Sequence, residues 1–355
     1  MFEPGAQTIA CPTPRAQYQH VLLGHGSGGG MTAELIQRSF LPFLGNDLLA
    51  ALEDQATVSL NGAAGSPRLA ITTDAFVVRP IFFPGGDIGK LAVHGTVNDL
   101  AVGGARPLFL SAAFILEEGL PIRDLERVAA SMRAACDEAQ VTLVAADTKV
   151  VDRGKGDQIF ITTTGVGLVP QGRQLSIHAA RPGDRILVSG TIGDHGIAIM
   201  SVREGIEFET VLESDTAPLT PLTEVLLENC SGIRAMRDPT RGGLSAALHE
   251  LAAASESGIK LMESAIPLRS EVRAACEMLG LDPLYVASEG RLIAVVAPDQ
   301  ADRALEVMRI QRLGRDAAII GQVVAEHPGM VTIRSPLGGE RIVSMLAGEQ
   351  LPRIC

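Results

Sequence analysis

Apolar positions along this 355-residue chain alternate between two rhythms, one of strands and one of helices. Residues 68–74 (RLAITTD) form a short run rich in β-formers, and 86–102 carries apolar residues at helical spacing. The run 107–116 (PLFLSAAFIL) predicts a buried strand. Residues 121–139 predict a helix, with Pro121 at its start and an apolar face through Leu125, Val128, Ala129 and Met132. Two further strands are expected over 141–151 and 158–169. The stretch 170–184 is polar, holds Pro and Gly, and reads as a boundary. Beyond it RILVSG opens a second pattern, with helices near 194–204, 242–255 and 270–279 and strands near 291–297 and 330–334.

These rhythms predict an α/β (α+β) chain in two units, 21–169 and 170–335, after a leader at 1–20. Residues 336–355 read as a flexible tail. One short apolar stretch follows Gly338-Gly339, and Pro352 biases Leu351 away from helix, so the end should be extended and mobile unless docked.

Composition removes several classes of function. Forty-one acidic residues against thirty basic ones give a net charge of −11, which argues against nucleic acid or an anionic membrane as partner. Aromatic residues make up only 3% and Trp is lacking, so little is available for a base-stacking platform. No apolar run approaches the roughly 20 residues that span a bilayer. The N-terminus lacks a basic start followed by an apolar stretch, and cytoplasm is the expected location. Five scattered cysteines, never spaced Cys-x-x-Cys, argue against a disulfide scaffold or a structural zinc site.

Candidate chemistry begins at Gly24-His25-Gly26-Ser27-Gly28-Gly29-Gly30. It formally holds the dinucleotide pattern Gly-x-Gly-x-x-Gly, but no second strand with a terminal acid follows the next helix at once. What remains is a loop rich in N–H groups ahead of a helix, suited to an anion; a plain mobile loop explains it equally well. The run from Pro84 to Leu91 looks like a phosphate-binding Walker loop and is not one. Pro84 sits where the first Gly belongs, and Leu91 replaces the metal-binding hydroxyl. It reads instead as an entry into the helix carrying Asn98 and Asp99.

Acids at strand and helix ends are more informative. Asp54, Asp74, Asp99, Asp147 and Asp238 each occupy such a place, the last opening the turn Asp238-Pro239-Thr240-Arg241-Gly242-Gly243. Taken singly, an Asp there is more often a turn residue or cap. As a set they point to magnesium and a nucleotide. Lys90, Lys149, Lys155 and Lys260 are the only lysines, and Lys149 stands two residues from Asp147. Glu289, before the strand RLIAVVA, is a candidate general base, with a surface glutamate as the blander account. His94, His195 and His249 show no metal spacing. Cys355 ends the chain and, without context, is an unremarked free thiol.

Five segments then align together: TTDAFVVRPIFFPGGDIGKLAVHGTVNDLAVGGA, ADTKVVDRG, IGDHG, RDPTRGG and the ending LPRIC. Jointly, from about residue 22 to 355, they resemble the HypE family, the carbamoyl dehydratases of [NiFe]-hydrogenase maturation, within the aminoimidazole-ribonucleotide-synthetase (PurM-like) superfamily. The resemblance implies a PurM-like fold, with an N-terminal mixed-sheet ATP-binding domain and a C-terminal α/β domain. It also implies a homodimer with ATP at or near the subunit interface. A HypF-like carbamoyltransferase would load the thiol of Cys355. ATP with Mg2+ would then drive dehydration of the S-carboxamide to a thiocyanate, and cyanide would pass to iron on a HypC–HypD-like scaffold.

Under that reading Cys355 carries the substrate, Glu289 takes the proton, and Lys149 stabilises charge or assists proton transfer. Asp54, Asp74, Asp99, Asp147 and Asp238 would organise magnesium. His25, Gly26, Gly28, Gly29, Lys90, Asn98, Thr240 and Arg241 would join them around the nucleotide. Two residues depart from the family pattern: Ala146 replaces a Gly before Asp-Thr-Lys, and Ser288 replaces an Asn before Glu-Gly. The thiolate of Cys355 is expected to be disfavoured by its own α-carboxylate. The rival readings are a small-molecule ATP-dependent synthetase or kinase of the same superfamily, such as a selenophosphate synthetase, and a non-catalytic protein whose tail is only a docking ligand.

Overall fold

A computed structural model describes residues 19–60, 66–206, 212–346, 351 and 353–355. Residues 1–18 of the expected leader, and Pro352, lie outside the described residues.

After the glycine loop come three short helices, α1 (Gly30–Leu35), α2 (Leu41–Leu44) and α3 (Asp47–Ala50). Strands β1 (Ala56–Ser59) and β2 (Arg68–Phe76) then lead to a small hairpin, β3 (Phe82–Phe83) with β4 (Gly86–Asp87). Helix α4 (Ile88–Val102) starts where the Asp87 side chain accepts N–H bonds from Gly89 and Lys90 at 2.7 and 3.1 Å, an N-cap in place of a phosphate loop. Strand β5 (Arg106–Glu117), helix α5 (Ile122–Ala139), and strands β6 (Thr142–Val151) and β7 (Ile159–Val169) complete the first half. Its five-stranded sheet runs β1-β2-β7-β5-β6, with β5 and β6 parallel and the other pairs antiparallel.

Helices α4 and α5 cover one face of this sheet, burying Phe76, Leu110, Ala112, Ile159 and Ile161 in a core with Leu91, Val128 and Met132. The other face is bare. Ile71, Phe109, Ile115 and Leu168 are each at least 39% exposed, and edge strand β6 is exposed along nearly its whole length. The strand expected over 107–116 is therefore buried on one side only, which corrects that expectation: α5 crosses one face, and among the described residues no element crosses the other.

The second half carries β8 (Arg185–Val188), α6 (Asp194–Glu204), α7 (Thr220–Asn229), β9 (Ile233–Arg237), α8 (Gly243–Ala254), β10 (Gly258–Met262) and α9 (Ser270–Leu279). It continues with β11 (Ile293–Val296), α10 (Ala301–Ile310), β12 (Ala318–Val324), β13 (Val331–Arg334) and β14 (Glu340–Val343). The seven-stranded sheet runs β14-β13-β10-β12-β8-β11-β9. Both its faces are covered. Ile186, Val188, Ile293 and Val295 pack towards α8, whereas Leu187, Ala294 and Val296 pack towards α7 and α10. That is why β8 and β11 read as unbroken apolar runs rather than alternating ones. Strand β14, counted with the tail by its sequence, pairs antiparallel with β13.

Asn98 of α4 fastens the halves together. Its amide donates to the carbonyls of Ala217 and Glu289, both at 3.1 Å, and its Oδ1 accepts the Leu219 N–H at 2.8 Å. Each polar atom of this fully buried side chain is thus satisfied, as burial requires.

Candidate functional site

Between the halves lies a cavity of about 310 Å³. The loop before β1 supplies Asp54, the end of β2 supplies Asp74, and α4 supplies Asp99. From the second half come Arg237 at the end of β9, Asp238 after it, and Glu289 before β11. Single oxygens of Asp54, Asp99 and Asp238 all lie within 4.8 Å of one another. Such hard, converging oxygen donors suit a divalent cation of the magnesium class. Thr72 donates its hydroxyl proton to Asp99 Oδ2 at 2.8 Å or to the Asp54 carbonyl at 2.9 Å, which fixes the two acid-bearing segments together.

Burial dominates the electrostatics. It pushes Asp54 up to about 8, against the attraction of Arg237, whose guanidinium lies 2.9 Å away. Burial also raises Asp238 to about 6, Asp74 upwards and Asp99 well above the usual carboxylate range, the neighbouring acids adding to the shift at Asp99. Acids crowded out of water in this way are a reservoir that a cation would discharge.

The glycine loop and the turn after β9 meet at the rim. Gly26 and Gly28 line the cavity beside Thr240, Arg241 and the first turn of α8. Gly28 has φ +75, and a Cβ there would stand 2.7 Å from the Arg241 backbone oxygen, so this close approach requires glycine. The start of α8 borders the same space through Gly243, Ala246 and Ala247, and a helix N-terminus is a favourable place for an anion.

The chain terminus closes the cavity from below. Val77 donates its N–H to the Cys355 main-chain oxygen at 3.2 Å, Arg79 donates to Arg353 at 3.1 Å, and Ile354 pairs antiparallel with Val78. Side chains of Leu351 and Ile354 are buried, worth about 2 kcal/mol each from apolar transfer. The last described residues, 353–355, are therefore docked along residues 77–79 through main-chain hydrogen bonds and one isolated β-bridge. Cys355 lines the cavity with Glu289, Arg241 and Asp74. Burial raises the Cys355 thiol well above its ordinary value, and burial likewise raises Glu289, with Asp238, Asp215 and Asp74 adding to the effect. Desolvation, rather than the α-carboxylate, is thus the first reason the thiolate is disfavoured. Glu289 Oε1 is buried without a hydrogen-bond partner, an acceptor aimed into the site.

The structure gathers Gly26, Gly28, Asp54, Asp74, Asp99, Asp238, Thr240, Arg241, Glu289 and Cys355 around one cavity. Other expected residues stand elsewhere. Gly29 lines an adjoining cleft of about 650 Å³ with Thr32 and Glu250. His25 sits behind the loop, its Nδ1 2.9 Å from the Leu22 N–H. Lys90 does not reach the cavity, because its ammonium donates to the Gly85 carbonyl at 3.0 Å. Asn98 is spent on the clamp between the halves. Asp147 and Lys149 pair with each other at 2.6 Å on exposed β6, outside the cavity of their own chain.

Sequence reasoning missed Arg237, Glu250 and Thr32, all in the cavity wall. Arg237 directly precedes Asp238, so the signal was present in the RDPTRGG run. Both departures from the family pattern are accommodated. Ala146 lies in extended β6, where no positive φ is needed, and the Ser288 hydroxyl accepts the Gly193 N–H at 2.8 Å.

Comparison with known proteins gives a concordant result. Residues 52–169 match the family model for the AIR synthase related protein, N-terminal domain, and 181–334 match that for its C-terminal domain. The chain is 55% identical over 331 residues to carbamoyl dehydratase HypE of Azotobacter vinelandii, covering 93% of this chain and 96% of that protein. A crystal structure of a HypE-HypF complex matches with a TM-score of 0.82 at 47% identity, over 88% of this chain and 99% of that one. A hydrogenase maturation protein HypE in complex with ATP matches with a TM-score of 0.79 at 48% identity, over 95% of this chain and all of that one.

Proposed function

Because the chain belongs to the AIR synthase related family, and within it to the HypE carbamoyl dehydratases, we propose that the cavity converts an S-carbamoyl group on Cys355 to a thiocyanate at the expense of ATP. One observation carries this reading: the terminal cysteine lines, with the buried Glu289, a cavity walled by Asp54, Asp74, Asp99, Asp238 and the glycine loop.

The amide oxygen of R–S–C(=O)–NH2 is a poor leaving group. Its attack on the γ-phosphorus of ATP, with loss of one N–H proton, gives R–S–C(=NH)–O-phosphate and ADP. Loss of the second N–H proton together with phosphate leaves R–S–C≡N. Glu289 would take these protons. Burial, with Asp238, Asp215 and Asp74 nearby, raises its pKa. A cation held by Asp54, Asp99 and Asp238 would remove the repulsion from Asp238 and so lower the Glu289 pKa towards that of a working base. Arg241, beside the thiol, offers a cation to the developing charge on the carboxamide oxygen.

Asp54, Asp99 and Asp238 would hold Mg2+, which supplies charge neutralisation for phosphoryl transfer. The glycine loop and the start of α8 would bind the phosphates, and the adjoining cleft would take the rest of the nucleotide. A second copy laid on the bare sheet face would make the homodimer, and would bring Asp147 and Lys149 of β6 to a site they do not reach in their own chain. A HypF-like carbamoyltransferase supplies the carbamoyl group. A HypC–HypD-like iron scaffold takes the cyanide, and cytoplasm is the compartment such partners share.

ATP hydrolysis with the carbamoylating partner and carbamoyl phosphate tests the reading. Wild-type turnover is expected to depend on both, and Cys355→Ala to fall to background. Turnover unchanged by that substitution would return the chain to the small-molecule kinases and synthetases of the superfamily.

A further inference from the structure

His195, the second residue of α6, is fully buried, yet nothing in the reaction above uses it. Its Nε2 lies 2.6 Å from the carbonyl oxygen of Ile354, one residue before the reacting cysteine, and its Nδ1 lies 2.7 Å from Ser214 Oγ. A carbonyl can only accept, so Nε2 carries the proton. Burial lowers the pKa of the ring and keeps it neutral, so Nδ1 accepts from the Ser214 hydroxyl. Ser214 is itself held by the Thr216 N–H at 3.2 Å, and its own N–H donates to Pro84 at 2.9 Å. Phe83 stands edge-on to the imidazole with ring centroids 5.5 Å apart. With the tail in place, one tautomer in one orientation is therefore held.

We propose that His195 is a positioning residue, a latch that captures the tail by its main chain and so aims the loaded thiol at Glu289. The other contacts of the tail fit a latch. Main-chain N–H groups of Val77 and Arg79 hold the oxygens of Cys355 and Arg353 on either side of it, and Arg203 joins at Arg353. Carbonyl groups are read at three successive residues, leaving the Cys355 side chain unencumbered to carry a carbamoyl group or a cyano group. When the tail leaves to meet a partner, the Nε2–H loses its carbonyl acceptor. That cost favours return of the tail whatever the thiol carries.

This inference rests on the dehydratase reading for its rate arm, but not for its docking arm. Purified full-length protein is alkylated with iodoacetamide, and modification of Cys355 is followed by peptide mass mapping. Protein already carbamoylated at Cys355 is separately given ATP and magnesium, and single-turnover loss of the carbamoyl adduct is timed. His195→Ala is expected to speed alkylation of Cys355 by about fivefold to tenfold and to slow dehydration by about tenfold or more. His195→Gln, which keeps an N–H near the position of Nε2, is expected to recover most of both effects. Ser214→Ala, which frees the tautomer without opening the core, is expected to shift both in the same direction by a few-fold. It decides the matter if His195→Ala does not fold.

Slower dehydration with unchanged alkylation, in His195→Ala or Ser214→Ala, would overturn the latch. So would a wild-type Cys355 that alkylates as fast as a free LPRIC peptide. Failure of wild-type protein to dehydrate its adduct would sink the dehydratase reading, while the alkylation arm would still judge the latch.

Discussion

Asp54 and Asp238 show what a single side chain contributes at this site. Each is raised by burial, to about 8 and about 6, from 3.8 in the unfolded chain. An acid whose pKa is higher folded than unfolded favours folding at low pH. That contribution is whole below pH 3.8 and is lost as pH rises through about 6 for Asp238 and about 8 for Asp54. Cation-free protein should therefore melt several degrees lower at pH 8 than at pH 5, and magnesium should restore much of the loss at pH 8. Calorimetry in chelator and in magnesium checks this; a melting temperature at pH 8 indifferent to magnesium would count against the three-aspartate site. At this scale the sequence was most readable where acids end strands or open turns, because that position alone aims them at a shared edge. It misled at Asn98 and Lys90. Their polar atoms are consumed by backbone carbonyls of segments far away or around a turn, partners that no local pattern displays.

Among the elements, β6 is a strand where its sequence predicts one, yet its apolar Val144 and Val150 are 59% and 67% exposed. An apolar edge strand beside a bare sheet face invites pairing with another chain. Val144→Glu with Val150→Glu should leave the fold intact and convert a dimer to monomer at micromolar concentration. ATP turnover should fall with it, since Asp147 and Lys149 would lose the neighbouring site. Light scattering after size exclusion reads the mass, and an unaltered dimer would place the interface elsewhere. Helices α4, α5, α6, α8 and α9 were legible from spacing and caps. Strands β9 and β10 were not, because each is five residues long and interrupted by a charge. Helix α10 does carry a regular face, through Ala301, Ala304, Val307 and Met308, and its neighbours obscured it.

The whole molecule is organised so that two sheets present their acids to one cavity while the end of the same chain enters it as substrate. The sequence marked 336–355 as a flexible tail, its last residues expected to be extended and mobile unless docked. It gave no sign of the seat, because that seat is made by the backbone of Val77 and Arg79, a buried histidine and the apolar wall around Ile354, drawn from segments remote in the chain. Docking places the thiol and Glu289 in one cavity where burial raises the pKa of both, so that loading of the thiol and arrival of ATP with its cation would activate the pair.

The intact mass of protein carbamoylated at Cys355, followed after addition of ATP and magnesium, bears most directly on this arrangement. The adduct should lose the mass of one water in the wild type, with the change mapped to the C-terminal peptide. Glu289→Gln should retain the full carbamoyl mass for about a hundredfold longer or more. A wild-type adduct that persists, or one that loses water equally fast without Glu289, would contradict the account.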